Sequence, residues 1–276
     1  NLTADAYVRD TKGMQTSGKK LPGAYGANEP KQNAANLRTK GWELMLTWND
    51  AFKLANKPFR YNLSVGLADN TSEITKFDNP SKILSDYYVG QKLGDIWGYV
   101  VDGLFRTDEE AANYNVDQTA VNFVINTAQV NPGLHAGDMK FVDLDGDHTI
   151  SSGSNTADDP GDRKIIGNSL PRYTYSIQGG FDWYGFDFSI YLQGVGHQDW
   201  YPGTNSVFFW GPYARPYSSF IPRDFLSQVW SPENPDAYFP RPIGYLALGN
   251  NRSLGVVNDR YLQNLAYCRV KNITVG

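Results

Sequence analysis

Between Pro171 and Gln193 the chain reads PRYTYSIQGGFDWYGFDFSIYLQ, and apolar and polar residues alternate through it almost without interruption. Tyr173, Tyr175, Ile177 and Phe181 share one parity; Arg172, Thr174, Ser176, Gln178 and Asp182 take the other. Past a turn at Tyr184-Gly185, Phe186, Phe188, Ile190 and Leu192 resume the apolar series, with Asp187, Ser189 and Gln193 opposite. Successive side chains of a strand project to opposite faces, so the pattern predicts a hairpin with one apolar and one polar surface. Each arm has about ten residues, the length that crosses a bilayer when tilted by about 45°. Aromatic residues gather at its two ends, as in the girdles of membrane barrels. Two fold classes accommodate such a hairpin: a soluble β-protein and a transmembrane β-barrel.

The same signature recurs at 2–9, at 41–48 with Trp42, Leu44, Leu46 and Trp48 on one face, at 60–68 with Tyr61, Leu63, Val65 and Leu67, and at 261–275. With the hairpin this predicts six strands. The connections expected at 49–58 and 183–185 are short, whereas those at 13–33, 69–171 and 194–259 are long. Alternating short turns and long loops is the parity of an up-and-down barrel. A soluble sandwich has no reason to place every long loop at one end. Six strands are too few to close a barrel, which needs about eight. The alternation is still running at Ile273-Thr274-Val275-Gly276, so the expectation is a sector of a larger barrel.

Composition leaves that choice open. No run of about 18 apolar residues occurs, so no transmembrane helix is expected. A mean hydropathy of −0.48 fits a soluble protein, but it also fits a barrel whose lumen face and loops are polar. The formal net charge of −4 gives no electrostatic basis for binding nucleic acid or anionic lipid. One cysteine, Cys268, excludes an internal disulfide.

The strongest chemical motif is Asp143-Leu144-Asp145-Gly146-Asp147-His148-Thr149-Ile150. Carboxylates at Asp143, Asp145 and Asp147, followed by the Thr149 carbonyl, match positions 1, 3, 5 and 7 of a calcium loop. The match has departures: His148 stands where glycine makes the sharp turn, Ser151 is a weak ninth-position ligand, and Ser154 replaces the closing glutamate. Asp162, or Asp158 and Asp159, would have to complete the shell. The alternative is an Asx-rich turn that binds no ion. Any Ca2+ here would be structural, because no nucleophile adjoins it.

His135, His148 and His197 show no zinc spacing. No GxSxG, P-loop or HExxH pattern occurs, so no catalytic residue is assigned and no enzyme is expected. The loop 194–259 is dense in aromatics. Trp200, Tyr201, Trp210, Tyr213, Tyr217 and Tyr238, with Arg215, Arg223 and Arg241 among them, suit a partner or sugar surface. The alternative is that they pack the loop against itself.

Several ordered blocks carry a resemblance: NLRTKGWELMLTW (36–48), GQKLGDIWGYVVDGLF (90–105), GDMKFVDLDGDHTI (137–150), DRKIIGNSLPRYTYSIQGGFDWYGFDFSIYLQG (162–194) and YLQNLAYCRVKNITVG (261–276). The chain resembles the SusC/RagA family of TonB-dependent outer-membrane transporters of Bacteroidetes. The resemblance implies an all-β fold, with 1–276 as part of the C-terminal half of an antiparallel transmembrane β-barrel. It makes 69–171 an extracellular loop with a calcium-like turn, and 194–259 an aromatic-rich extracellular loop facing a lid. The whole barrel would be plugged and have about 22 strands. The implied function is TonB-dependent import of oligosaccharides or peptides across the bacterial outer membrane. Its implied partners are a SusD-like lipoprotein, outer-membrane lipid, and the TonB complex acting through parts outside this segment. Family members often follow the acidic loop with an Asp-Arg pair, which favours Asp162 as the closing ligand. The rival reading is a soluble secreted glycan-binding or glycan-degrading β-protein.

Overall fold

The computed structural model describes residues 1–17, 26, 30–121, 133–214, 221–249 and 252–276. In chain order the elements begin with β1 (Leu2–Ser17), β2 (Lys31–Leu54), β3 (Lys57–Lys76), β4 (Asp95–Tyr99), β5 (Val101–Leu104) and α1 (Asp108–Ala112). Next come β6 (Met139–Phe141), β7 (Arg163–Asn168), β8 (Arg172–Trp183), β9 (Phe186–His197) and β10 (Asp199–Trp200). Two short helices, α2 (Val207–Trp210) and α3 (Phe225–Gln228), precede β11 (Gln263–Asn264) and β12 (Tyr267–Val275). The chain divides into two compact units, one of Asn1–Asp95, Asn168–Asp199 and Asn264–Gly276, the other of Ile96–Gly167 and Trp200–Gln263.

The first unit is built on a six-stranded antiparallel sheet in the order β1-β2-β3-β8-β9-β12. Its register follows from the alternation, because a slip of one residue would exchange the two faces. One row of directly opposed residues runs Leu2, Leu46, Val65, Ile177, Leu192, Val270 across all six strands. The adjacent row on the other face runs Thr3, Met45, Gly66, Ser176, Gln193, Arg269. In β12 a bulge lies between Val270 and Asn272. It lets Val270 and Ile273, three residues apart, both meet apolar partners, Leu192 and Ile190. Near the tight turns the apolar face ends in an aromatic band, with Phe52 against Phe59 at 5.0 Å, Phe59 against Phe181 at 5.3 Å, and Phe181 against Phe188 at 5.5 Å between ring centroids.

The six strands fall where alternation places them, but their ends differ. The connection expected at 49–58 shrinks to Ala55-Asn56, both left-handed at φ 49° and 60°. A two-residue turn of that hand matches the twist of the flanking strands, and Tyr184-Gly185 closes the β8–β9 hairpin the same way at φ 53° and 82°. β1, β2 and β3 run on through polar stretches into the regions expected as loops. Those stretches pair by backbone bonds and by contacts such as Arg38–Asp10 (2.7 Å) and Thr39–Ser72 (2.8 Å). The strand expected over 261–275 is broken. Leu265 N donates to Gln198 O at 2.7 Å and Ala266 N to Asn264 Oδ1 at 2.9 Å, so pairing with β9 begins only at Tyr267.

The second unit joins most of the two long connections into one core. β4 pairs with β7, and β5 with β6. Around them Tyr99, Phe141, Ile150, Trp210, Phe239 and Tyr261 belong to one buried cluster. Among the described residues, the buried apolar side chains of the first unit are Ile74, Tyr88 and Val195. The sheet therefore leaves its apolar face exposed: Leu2, Leu46, Trp48, Phe52, Val270 and Ile273 all lie open.

Candidate functional site

In the acidic loop, carboxylate oxygens of Asp143, Asp145 and Asp162 lie within 4.8 Å of one another. Asp162 is fully buried and accepts the N–H groups of Leu144 and Ser151, each at 2.7 Å. Asp143 accepts from Gly146 N at 2.7 Å and His148 N at 2.9 Å. The turn is made with Gly146 at φ 82° and His148 at φ 64°; histidine is among the few residues that enter the left-handed region with any frequency, which is how the loop manages without glycine there. Burial pushes the Asp143 carboxyl up, but the Gly146 and His148 N–H groups outweigh it and hold it below the usual range. For Asp145 the Asp147 N–H pulls down, yet burial and the charges of Asp162, Asp147 and Asp143 prevail and raise it. Like charges crowd there, and every donor is a hard oxygen, so the set fits Ca2+.

The remaining residues of the motif are placed differently. Asp147 Oδ1 accepts the Thr149 N–H at 2.7 Å, and Thr149 bridges to Asp117; neither belongs to the three-carboxylate cluster. Asp159 is occupied by Ser154, through both N–H and hydroxyl. Arg163 turns away to Pro160 O, Ser152 O and Asn155 Oδ1.

The aromatic residues divide into core and surface. Trp210 and Tyr213 are buried; the indole donates to Gly203 O at 3.0 Å and the phenol to Pro240 O. Tyr201 donates to Val256 O at 2.8 Å and accepts from Asn258 Nδ2 at 3.0 Å. Burial pushes the Tyr201 and Tyr213 phenols far up, so they remain neutral donors. Arg241 forms a two-pronged pair with Asp138, at 2.6 and 3.3 Å. Asp138 carried no sequence signal of its own beyond lying in the GDMKF block. Trp200, Arg223 and Tyr238 stay exposed, although the Tyr238 hydroxyl accepts from Gln263 Nε2 at 2.8 Å. Arg215 and Tyr217 lie outside the described residues.

An antiparallel sheet that is apolar on one exposed face, polar on the other and banded by aromatics has the construction of a membrane β-barrel wall. No protein-family model matches the chain. TonB-dependent receptor P39 of Formosa agariphila is 24% identical over an alignment covering all of this chain and 27% of the receptor. TonB-dependent receptor SusC of Bacteroides thetaiotaomicron is 25% identical, over 99% of this chain and 23% of its own length. Among solved structures, the RagAB peptide importer in its open-open state superposes with a TM-score of 0.63 at 16% identity, over 99% of this chain and 26% of that one. Its closed-closed state gives 0.59 at 15% identity. The six-stranded sheet aligns with part of the RagA barrel. The chain is homologous to SusC/RagA-type TonB-dependent receptors and spans about a quarter of their length. TonB-dependent transporters are a non-enzymatic family.

Proposed function

We propose that this chain forms a sector of the wall of an outer-membrane transporter that imports oligosaccharides or peptides, driven by TonB and capped by a SusD-like lipoprotein. The observation that carries this reading is the apolar row from Leu2 to Val270, backed one residue away by a largely polar row in which Met45 is the one large apolar side chain. Water on both sides would leave that apolar face uncovered over six strands; lipid on one side covers it. In this reading ligand is trapped beneath the lid, and TonB acts through parts of the protein beyond these residues. Trp200, Arg223 and Tyr238, exposed residues of the aromatic segment, would meet lid or ligand. The intact gene product should sediment with outer membranes and migrate differently on gels before and after heating. Recovery of native protein only in the soluble fraction would favour the secreted glycan-binding reading instead.

Ca2+ in the acidic loop is part of the same proposal. Asp143, Asp145 and Asp162 would hold it, with Asp147 and Thr149 as further oxygens of the calcium-type pattern, and the ion would fasten the loop to the core beside Ile150. Replacing Asp143 and Asp145 by Asn should abolish calcium-dependent protease resistance of residues 137–166 while the barrel stays folded. Equal resistance in wild type and variant, with and without calcium, would make the loop a turn only.

A further inference from the structure

Two nearly buried carboxylates, Asp69 in β3 and Asp199 in β10, grip the connection by which the chain enters β8. Asp199 Oδ2 accepts the Asn168 N–H at 2.9 Å and pairs with His197 Nε2 at 2.8 Å. Asp69 takes both prongs of the Arg172 guanidinium, Nε to Oδ1 at 2.7 Å and Nη2 to Oδ2, and also accepts the Tyr173 N–H at 3.3 Å. Immediately past that grip Tyr173 sits at φ 53°, a left-handed conformation that bulky side chains avoid. The β8–β9 ladder records the distortion. Arg172 opposes His197 and Thr174 opposes Val195, but Tyr173 and Gly196 between them do not pair. Gly196 supplies the space: a Cβ there would stand 3.0 Å from Tyr173 Cβ and 3.2 Å from Tyr173 O.

A residue in a sparsely populated conformation persists only where its surroundings over-determine it. Asp69 does so here, because one carboxylate anchors the side chain before the kink and the N–H at the kink. We propose that residues 168–173 form a two-state latch. With Asp69 engaged, Tyr173 is kinked and the ladder is interrupted. With Asp69 released, Tyr173 relaxes to extended backbone, pairs with Gly196, and takes up slack in the connection from β7. The latch would set how the chain feeds into β8, and it is independent of what the transporter carries.

The test is hydrogen exchange on the full-length protein in outer-membrane vesicles, followed in peptides covering 168–175 and 193–198. Asp69→Ala removes the anchor, whereas Gly196→Ala pushes on Tyr173 from the other strand. Both should speed exchange of the 168–170 and 172 amides by about tenfold, a local opening confined to the latch, while the paired β1 and β2 exchange as in wild type. Tyr173→Gly, to which the left-handed conformation is natural, should leave the kink in place and shrink the effect of Asp69→Ala. Wild-type exchange at 168–172 in both single variants would overturn the latch. Should Asp69→Ala fail to assemble, Gly196→Ala alone decides, and unchanged exchange in it counts against the proposal.

Discussion

Arg241 and Asp138 enter the interior of the second unit together, the Asp138 side chain almost wholly covered and the Arg241 side chain about two-thirds covered. Removing the cation leaves a buried carboxylate whose remaining side-chain hydrogen bond among the described residues is from the His135 N–H at 2.9 Å. Arg241→Ala should therefore destabilise the second unit by about 2–3 kcal/mol, less than a fully buried pair because Arg241 keeps some water. Pulse proteolysis over a temperature series, scored on peptides of the second unit, would measure it; an unchanged midpoint would mean that the pair contributes nothing. This position also marks what a sequence withholds at the residue scale. Arg241, Tyr201, Trp210 and Tyr213 were legible as residue types suited to recognition, but burial is a property of the packed core. No local pattern separates Trp210, which is covered, from Trp200, which is not. The acidic loop was more legible because its ligand spacing is local. Asp143 and Asp145 converge as spacing requires, and Asp162 joins them from nineteen residues beyond Asp143 because β7 starts there.

At the scale of elements, a period of two was enough to place the strands and their faces. It was not enough to find their ends. Polar extensions such as Asp69–Lys76 in β3 carry no alternation, yet they pair because the neighbouring strand continues beside them. The turn at Ala55-Asn56 was hidden for a related reason: alanine at φ 49° gives no turn signal, and the geometry is imposed by the β2–β3 register. Alanine has little tolerance for that conformation, whereas Asn-Gly is the preferred pair for a turn positive at both central residues. Changing Ala55 to Asn and Asn56 to Gly should stabilise the hairpin by roughly 0.5–1 kcal/mol, read as a higher denaturant midpoint for the refolded full-length protein. A lower midpoint would mean that this turn is not left-handed at both positions.

In the proposed transporter the six-stranded sheet has lipid on one side and an aqueous lumen on the other. The sheet itself supplies the alternative arrangement, since a soluble protein would need another layer to cover Leu2, Leu46 and Val270, which stand open. Neighbouring rows offer an internal comparison, because residues one apart in sequence should meet different solvents. The most direct measurement replaces Cys268 by Ser and places single cysteines, in the full-length protein in intact outer membranes, at Leu44, Leu46, Val65 and Ile190 and then at Met45, Ser64, Ser176 and Ser189. A membrane-confined photoreactive probe should label the first four and a small water-soluble maleimide the last four. Equal labelling of both sets by the water-soluble reagent would contradict a wall in lipid and leave a soluble β-sheet in its place.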